Sequence, residues 1–156
     1  MAETRAVPPE FHTVTPYLIM KNAVEALEFY KRAFGAIEKY KLLFPDGRLA
    51  HAQIALGDSQ IMFSEECQEY GGKSPQTLGG SPVTLYVYVE DVDAFFERAL
   101  AAGATELHPV RDQFYGDRSG QLMDPFGHVW CIASPKENVS PEEIQKRMEA
   151  LCVSQK

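Results

Sequence analysis

The chain has 156 residues, with 15 Lys and Arg against 22 Asp and Glu for a net charge of −7, and only four His and three Cys. A content of 45% hydrophobic and 24% charged residues supplies an ordinary core, excludes compositional disorder and, at this length, fits one compact domain. No Lys/Arg cluster is longer than a dipeptide, so no surface is built to neutralise phosphate, which argues against nucleic acid and membrane surfaces as partners.

The longest strongly apolar stretch, residues 83–89, is strand-sized and far short of the ~20 residues that span a bilayer. Residues 1–9 carry an early acid and two prolines where a signal peptide needs an apolar run, which leads to the expectation of a cytoplasmic protein. Cys67, Cys131 and Cys152 form neither a CxxC pair nor an even set, which argues against a disulfide framework or a structural zinc site.

In chain order, a leader of about a dozen residues precedes a strand over 13–20, interrupted or placed at an edge by Pro16. Asn22 with Glu25 reads as a capping box opening a helix whose face carries Val24, Leu27, Tyr30 and Phe34 and which ends at Gly35. Strands are expected over 37–44, 49–56 and 60–64, separated by Pro45-Asp46-Gly47 and Gly57-Asp58 turns. The same order then returns. A strand over 83–89 leads to a helix capped by Asp91 and ended by Gly103, then to strands over 105–110, 118–123 and 128–133, with Asp124-Pro125-Phe126-Gly127 as the last turn. The helix exits, residues 33–38 and 101–106, are identical at four of six positions, and the caps Asn22 and Asp91 stand 69 residues apart.

The expected organisation is therefore two βαβββ modules, 13–64 and 83–134, joined by a Gly-rich linker over 65–82. A module of ~70 residues buries only the sheet face under its helix, so the two must cooperate within one domain. A loop as long as the linker is either functional, as a lid for example, or a passive connection. Ser140-Pro141-Glu142-Glu143 opens a C-terminal helix to about residue 152, with Ile144, Met148 and Leu151 as an apolar stripe that needs a partner surface on the same chain or a second copy.

The paired modules, Glu28-Phe29-Tyr30 with Phe34-Gly35-Ala36, the turn Gly57-Asp58-Ser59, the linker glycine pairs Gly71-Gly72 and Gly79-Gly80, and Tyr115-Gly116-Asp117-Arg118 with Asp124-Pro125-Phe126-Gly127-His128 together resemble the vicinal oxygen chelate superfamily. Within it the chain is similar to the PhnB-like branch of glyoxalase/bleomycin-resistance proteins. The resemblance implies an α+β fold in which two curled mixed sheets form a cup, a homodimer, and a small-molecule ligand. Strand alternation assigns the cup lining: Thr15, Tyr17, Ile19, His51, Gln53, Met62, Thr84, Tyr86, Tyr88, Arg118 and Cys131 face in, and His128, Trp130 and Ile132 pack outward.

Catalytic members of that superfamily hold a divalent metal in the cup, and the resemblance carries their ligand positions onto Thr15, Met62, Thr84 and Cys131. Two hydroxyls, a thioether and a thiol do not suit Mg²⁺, Mn²⁺ or Ni²⁺, so neither the usual metal nor another cofactor is expected; a displaced zinc site on His51 and Cys131 is the alternative. The candidate ligand-binding residues are Tyr17, His51, Gln53, Tyr86, Tyr88, Arg118 and Cys131, with Arg118 gripping an anion or else forming an ion pair near Asp112. No catalytic residue is identified. Two functions compete: a module that binds or sequesters an aromatic or anionic metabolite or drug, and a metal-dependent lyase, isomerase or dioxygenase of the glyoxalase type. No Gly-x-Gly-x-x-Gly loop supports nucleotide-cofactor chemistry.

Overall fold

The computed structural model describes residues 4–155. Its elements run β1 (Tyr17–Met20), α1 (Ala23–Phe34), β2 (Ile37–Leu43), β3 (Leu49–Leu56), β4 (Ser59–Glu65), a 3₁₀ turn (Gln68–Tyr70), α2 (Pro75–Leu78), β5 (Thr84–Tyr88), α3 (Val92–Ala102), β6 (Thr105–Asp112), β7 (Asp117–Met123), β8 (Val129–Pro135) and α4 (Pro141–Ser154). They form two four-stranded mixed sheets of the same topology, ordered β1-β4-β3-β2 and β5-β8-β7-β6, with one parallel pair in each. The 69-residue repeat reappears as register: Tyr17 lies opposite Met62 on β4, and Tyr86 opposite Cys131 on β8.

One face of each sheet is buried because its residues on that side are apolar. Leu18, Met20, Ala52, Ile54, Ile61 and Phe63 lie under α1, which returns Ala26, Leu27, Phe29, Tyr30, Ala33 and Phe34. In the second module Leu122, Trp130 and Ile132 meet Val92, Phe96 and Ala99 of α3. Gly120 belongs to this layer, since a methyl group there would stand 2.9 Å from the Phe96 ring. The two helices also pack on one another, with the Phe34 and Phe95 rings stacked at 5.5 Å and the Phe34 and Trp130 rings edge-to-face with centroids 4.8 Å apart. The modules thus share one core, as units too small to bury their sheets alone must.

A buried carboxylate ties that core together. Asp124 is 1% exposed. Its Oδ2 accepts from Tyr30 Oη of the other module (2.7 Å) and from Trp130 Nε1 (2.9 Å), and its Oδ1 accepts from the Phe126 and His128 amides. His128 Nε2 and the carbonyl of Ile19 on β1 stand 2.9 Å apart, a second polar tie between modules. Burial, followed by the neighbouring Asp124 charge, raises the Tyr30 phenol well above its ordinary pKa.

The helix starts differ from the expected caps in one module. Asn22 does not form a capping box with Glu25: its backbone is left-handed (φ 60°) and its side chain caps nothing. The parallel pairing of Met20 with Glu65 brings the Glu65 carboxylate to the helix start instead, where it accepts from the Asn22 and Ala23 amides at 3.0 and 2.7 Å. Asp91 does cap α3 through the Ala94 amide, and Ser134, 69 residues after Glu65, takes the Val92 amide.

The linker is built rather than slack. Ser74 is fully buried and caps α2, and the Glu66 carboxylate accepts from the Ser74 amide and from Thr77 Oγ1. These donors, the Ser74 amide first, pull Glu66 down to a pKa of about 2. Pro75 seats against Gly127 of the last turn, where a methyl group would come within 2.8 Å of the Pro75 Cβ. By contrast α4 buries none of its residues; Ser140 caps it as expected, and Arg147 anchors it to Glu137 (2.6 Å) and the Phe114 carbonyl (3.0 Å). Of its expected apolar stripe, Met148 and Leu151 are exposed.

Candidate functional site

The helix-free sheet faces remain open, and within one chain the sheets do not close on each other; their side chains line separate grooves. A groove of about 410 Å³ on the first module is lined by Tyr17, Ile19, Phe44, Ala50 and Ser64, with Cys67, Tyr70 and Gly72 of the linker as its wall. On the second module, Tyr88, Tyr115 and Asp117 line one of about 470 Å³, and Arg111, Ser119, Gln121 and Cys131 line one of about 210 Å³. A larger cleft of about 870 Å³ at the junction takes in Phe34, Tyr86, Tyr88 and Trp130.

On the first face, β1, β3 and β2 bring together Tyr17, His51 and Tyr40. Tyr17 Oη lies 3.1 Å from His51 Nδ1, and the His51 ring sits 5.6 Å from Tyr17 and 5.5 Å from Tyr40. Burial lowers the His51 pKa, so the imidazole is neutral at pH 7 and serves as a hydrogen-bonding group within an aromatic cluster. Gln53 donates to Gln60 at 2.9 Å, which fixes its amide within the sheet.

On the second face, Tyr86 and Tyr88 alternate out of β5 and donate to the same oxygen, Asp117 Oδ2, at 2.7 and 3.1 Å. Burial first, and then the bond to Asp117, raises the phenol pKa of both. Cys131 lies beneath them, 5% exposed, and burial pushes its thiol up, so it is a packed thiol and no ready nucleophile at neutral pH.

Arg118 does not face the cup. Gly120 and Leu122 of the same strand lie under α3, and period-two alternation carries Arg118 to that side with them. There it grips Asp93 of α3 with Nε and Nη2 at 2.9 and 2.8 Å, and Asp112 with Nη1 at 3.2 Å. The residues that alternate onto the open face are Asp117, Ser119 and Gln121. Arg111, paired with Ser119 across β6 and β7, supplies a guanidinium on that side. Asp117, Arg111, Tyr40 and Tyr115 are site residues that sequence reasoning missed; burial of Leu122 opposite a polar Asp117 was the available signal.

The four positions carried over as metal ligands do not fit a divalent ion. Thr15, Met62, Thr84 and Cys131 offer hydroxyls, a thioether and a buried thiol whose pKa is raised. Among the described residues, no three His, Cys, Asp or Glu side chains converge on one point. The displaced alternative gains nothing, because His51 and Cys131 stand on different sheets among different neighbours.

Two open faces built on a twice-repeated βαβββ topology are matched by a family model, the Glyoxalase/Bleomycin resistance protein/Dioxygenase superfamily, over residues 11–132. The chain belongs to that superfamily. It is 43% identical over 140 residues to the uncharacterized protein Rv0887c of Mycobacterium tuberculosis, covering 88% of this chain and 82% of that one. The crystal structure of TioX from Micromonospora sp. ML1 superposes with a TM-score of 0.64 at 25% identity, over 80% of this chain and 98% of that one. A PhnB protein from Bacillus cereus shares the fold at a TM-score of 0.61 and 21% identity, over 79% and 99% of the two chains. Among the described residues no helix is long and apolar enough to cross a membrane.

Proposed function

We propose that this member of the glyoxalase/bleomycin-resistance superfamily is a cytoplasmic, homodimeric protein that binds or sequesters a small aromatic molecule without the superfamily metal. The observation that carries the reading is the exposure of large aromatic side chains on the helix-free sheet faces: Tyr17 is 49%, Tyr86 43% and Tyr88 61% exposed. Aromatic faces with oriented hydroxyls are what small-molecule sites are lined with. The same residues explain the expectation of a dimer. Tyr40 and Leu42 add to the exposed apolar surface of these faces, and a face of this kind calls for a covering partner. The neutral His51, protonated Cys131 and ill-suited ligand positions support binding over metal-assisted turnover.

Thermal-shift measurements against divalent ions and against aromatic compounds of differing charge test the proposal, together with elemental analysis of the purified protein. Stabilisation by an aromatic compound and no stoichiometric metal is the expected result. One tightly held divalent ion per chain that raises the melting temperature, and is lost in a Cys131→Ser or His51→Ala variant, would favour the glyoxalase-type enzyme instead.

A further inference from the structure

We infer that the open face of the second module selects ligands carrying a positively charged nitrogen, a protonated amine or quaternary ammonium, through Asp117 and the tyrosines around it. The inference rests on the small-molecule-binding reading and names the ligand class of that site. Asp117 has two phenol donors, both on Oδ2, and among the described residues no Lys, Arg or His nitrogen within 4 Å. Both of its hydrogen-bond donors are neutral phenols, so no cationic side chain is paired with it. The phenols that orient it are themselves half exposed, their rings tilted 52° to each other with centroids 5.2 Å apart, and Tyr115 lines one groove with Tyr88 and Asp117.

A cation in this groove meets both of the interactions that favour it, a carboxylate oxygen and aromatic faces. The other charges nearby are accounted for. Glu137 is bound to Arg147 at 2.6 Å. Arg111 lies on the same sheet face but lines the neighbouring groove, and forms no ion pair with Asp117. Lys136 lines the same groove as Asp117 and forms no ion pair with it. Of the two roles expected for Arg118, gripping an anion or forming an ion pair near Asp112, the second holds: its guanidinium is bound to Asp93 and Asp112 on the opposite side of the sheet and is not in this groove.

The test uses three probes of one shape: tyramine, its neutral analogue tyrosol, and 4-hydroxyphenylacetate, titrated by NMR or calorimetry into the full-length protein. Tyramine is expected to bind about tenfold more tightly than tyrosol, the scale of one charge-assisted contact reinforced by a cation–π contact. In an Asp117→Asn variant, whose amide oxygen still accepts from the phenols, that preference falls to about onefold. Lys136→Ala strengthens tyramine binding and leaves tyrosol unchanged. Equal binding of all three probes, tighter binding of the carboxylate, or a preference that survives Asp117→Asn overturns the amine assignment while leaving the binding reading intact. Failure of all three probes also overturns it, and the charge-independent thermal-shift screen then decides separately whether the protein binds small molecules at all.

Discussion

Replacing Tyr30 by Phe removes a single hydroxyl from the interior, and that hydroxyl is the bond from the first module to the buried carboxylate of the second. Asp124, 1% exposed, takes four hydrogen bonds, and the 2.7 Å bond from Tyr30 shares Oδ2 with the Trp130 indole. A hydrogen bond to a charged group contributes about 1.5–3 kcal/mol, and the buried anion left with one donor fewer places the cost in the upper half of that range. For a chain of this size each kcal/mol lowers the melting temperature by roughly 2–4 °C, so Tyr30→Phe is expected to melt about 5–12 °C below the parent. Urea unfolding followed by tryptophan fluorescence reads the same loss as a lower midpoint at unchanged slope. Asp124→Asn costs more, because its amide group turns a donor toward Trp130 or Tyr30, and the two substitutions together cost less than their sum. The raised Tyr30 pKa adds a sign: the unfolded phenol ionises near pH 10 and the folded one does not, so its contribution to stability is full below pH 10 and is lost as pH rises above it; Tyr30→Phe weakens that alkaline dependence, leaving the part due to Tyr86 and Tyr88. A melting temperature and urea midpoint unchanged within error would refute the view that this carboxylate holds the modules together.

The lowered pKa of Glu66 predicts that linker order is complete above pH ~4.5, where the unfolded carboxyl is ionised, and is lost as pH falls toward about 2; amide exchange of residues 66–78 between pH 5 and 3 measures it, and Glu66→Gln removes the dependence. Gly127→Ala forces a side chain onto a backbone with φ 93° and into Pro75, at a cost of about 1–3 kcal/mol, detectable by urea unfolding and by faster exchange in α2. Glu65→Ala removes the acceptor for two amides at the start of α1 and should cost about 1 kcal/mol, read from the same unfolding midpoint. Arg118→Ala should leave aromatic-ligand affinity within twofold, since its guanidinium faces α3; a larger loss by calorimetry would show that it reaches the ligand after all.

The duplicated element order was legible because it rests on local signals: caps, turn residues and period-two alternation, repeated 69 residues apart. The α+β class and the faces of β1, β3, β5 and β8 follow from those signals. The face of Arg118 was misread, though its alternative as an ion pair with Asp112 is present, because a long cationic side chain beside Asp117 gives no apolar mark of its face; only Leu122, four residues on, fixes the parity of β7. The helix start at Asn22 was misread for another reason. Its true acceptor, Glu65, is 43 residues away and arrives only when β4 pairs with β1, a contact that no local window contains. The order within 66–78 depends likewise on Pro75 finding Gly127 and on Glu66 finding Ser74, so a Gly-rich stretch whose sequence left open a functional loop or a passive connection carries a short helix and one wall of the first groove.

Binding without metal-assisted turnover is tested most directly by incubating the protein with an aromatic ligand found in the thermal-shift screen, with and without Mn²⁺, and recovering the ligand for mass analysis. The account predicts saturable binding that shifts resonances of Tyr17, Tyr86 and Tyr88, with the ligand recovered unchanged in both samples. Conversion of the ligand that appears only with added metal, and disappears on substituting Cys131 or His51, would contradict it.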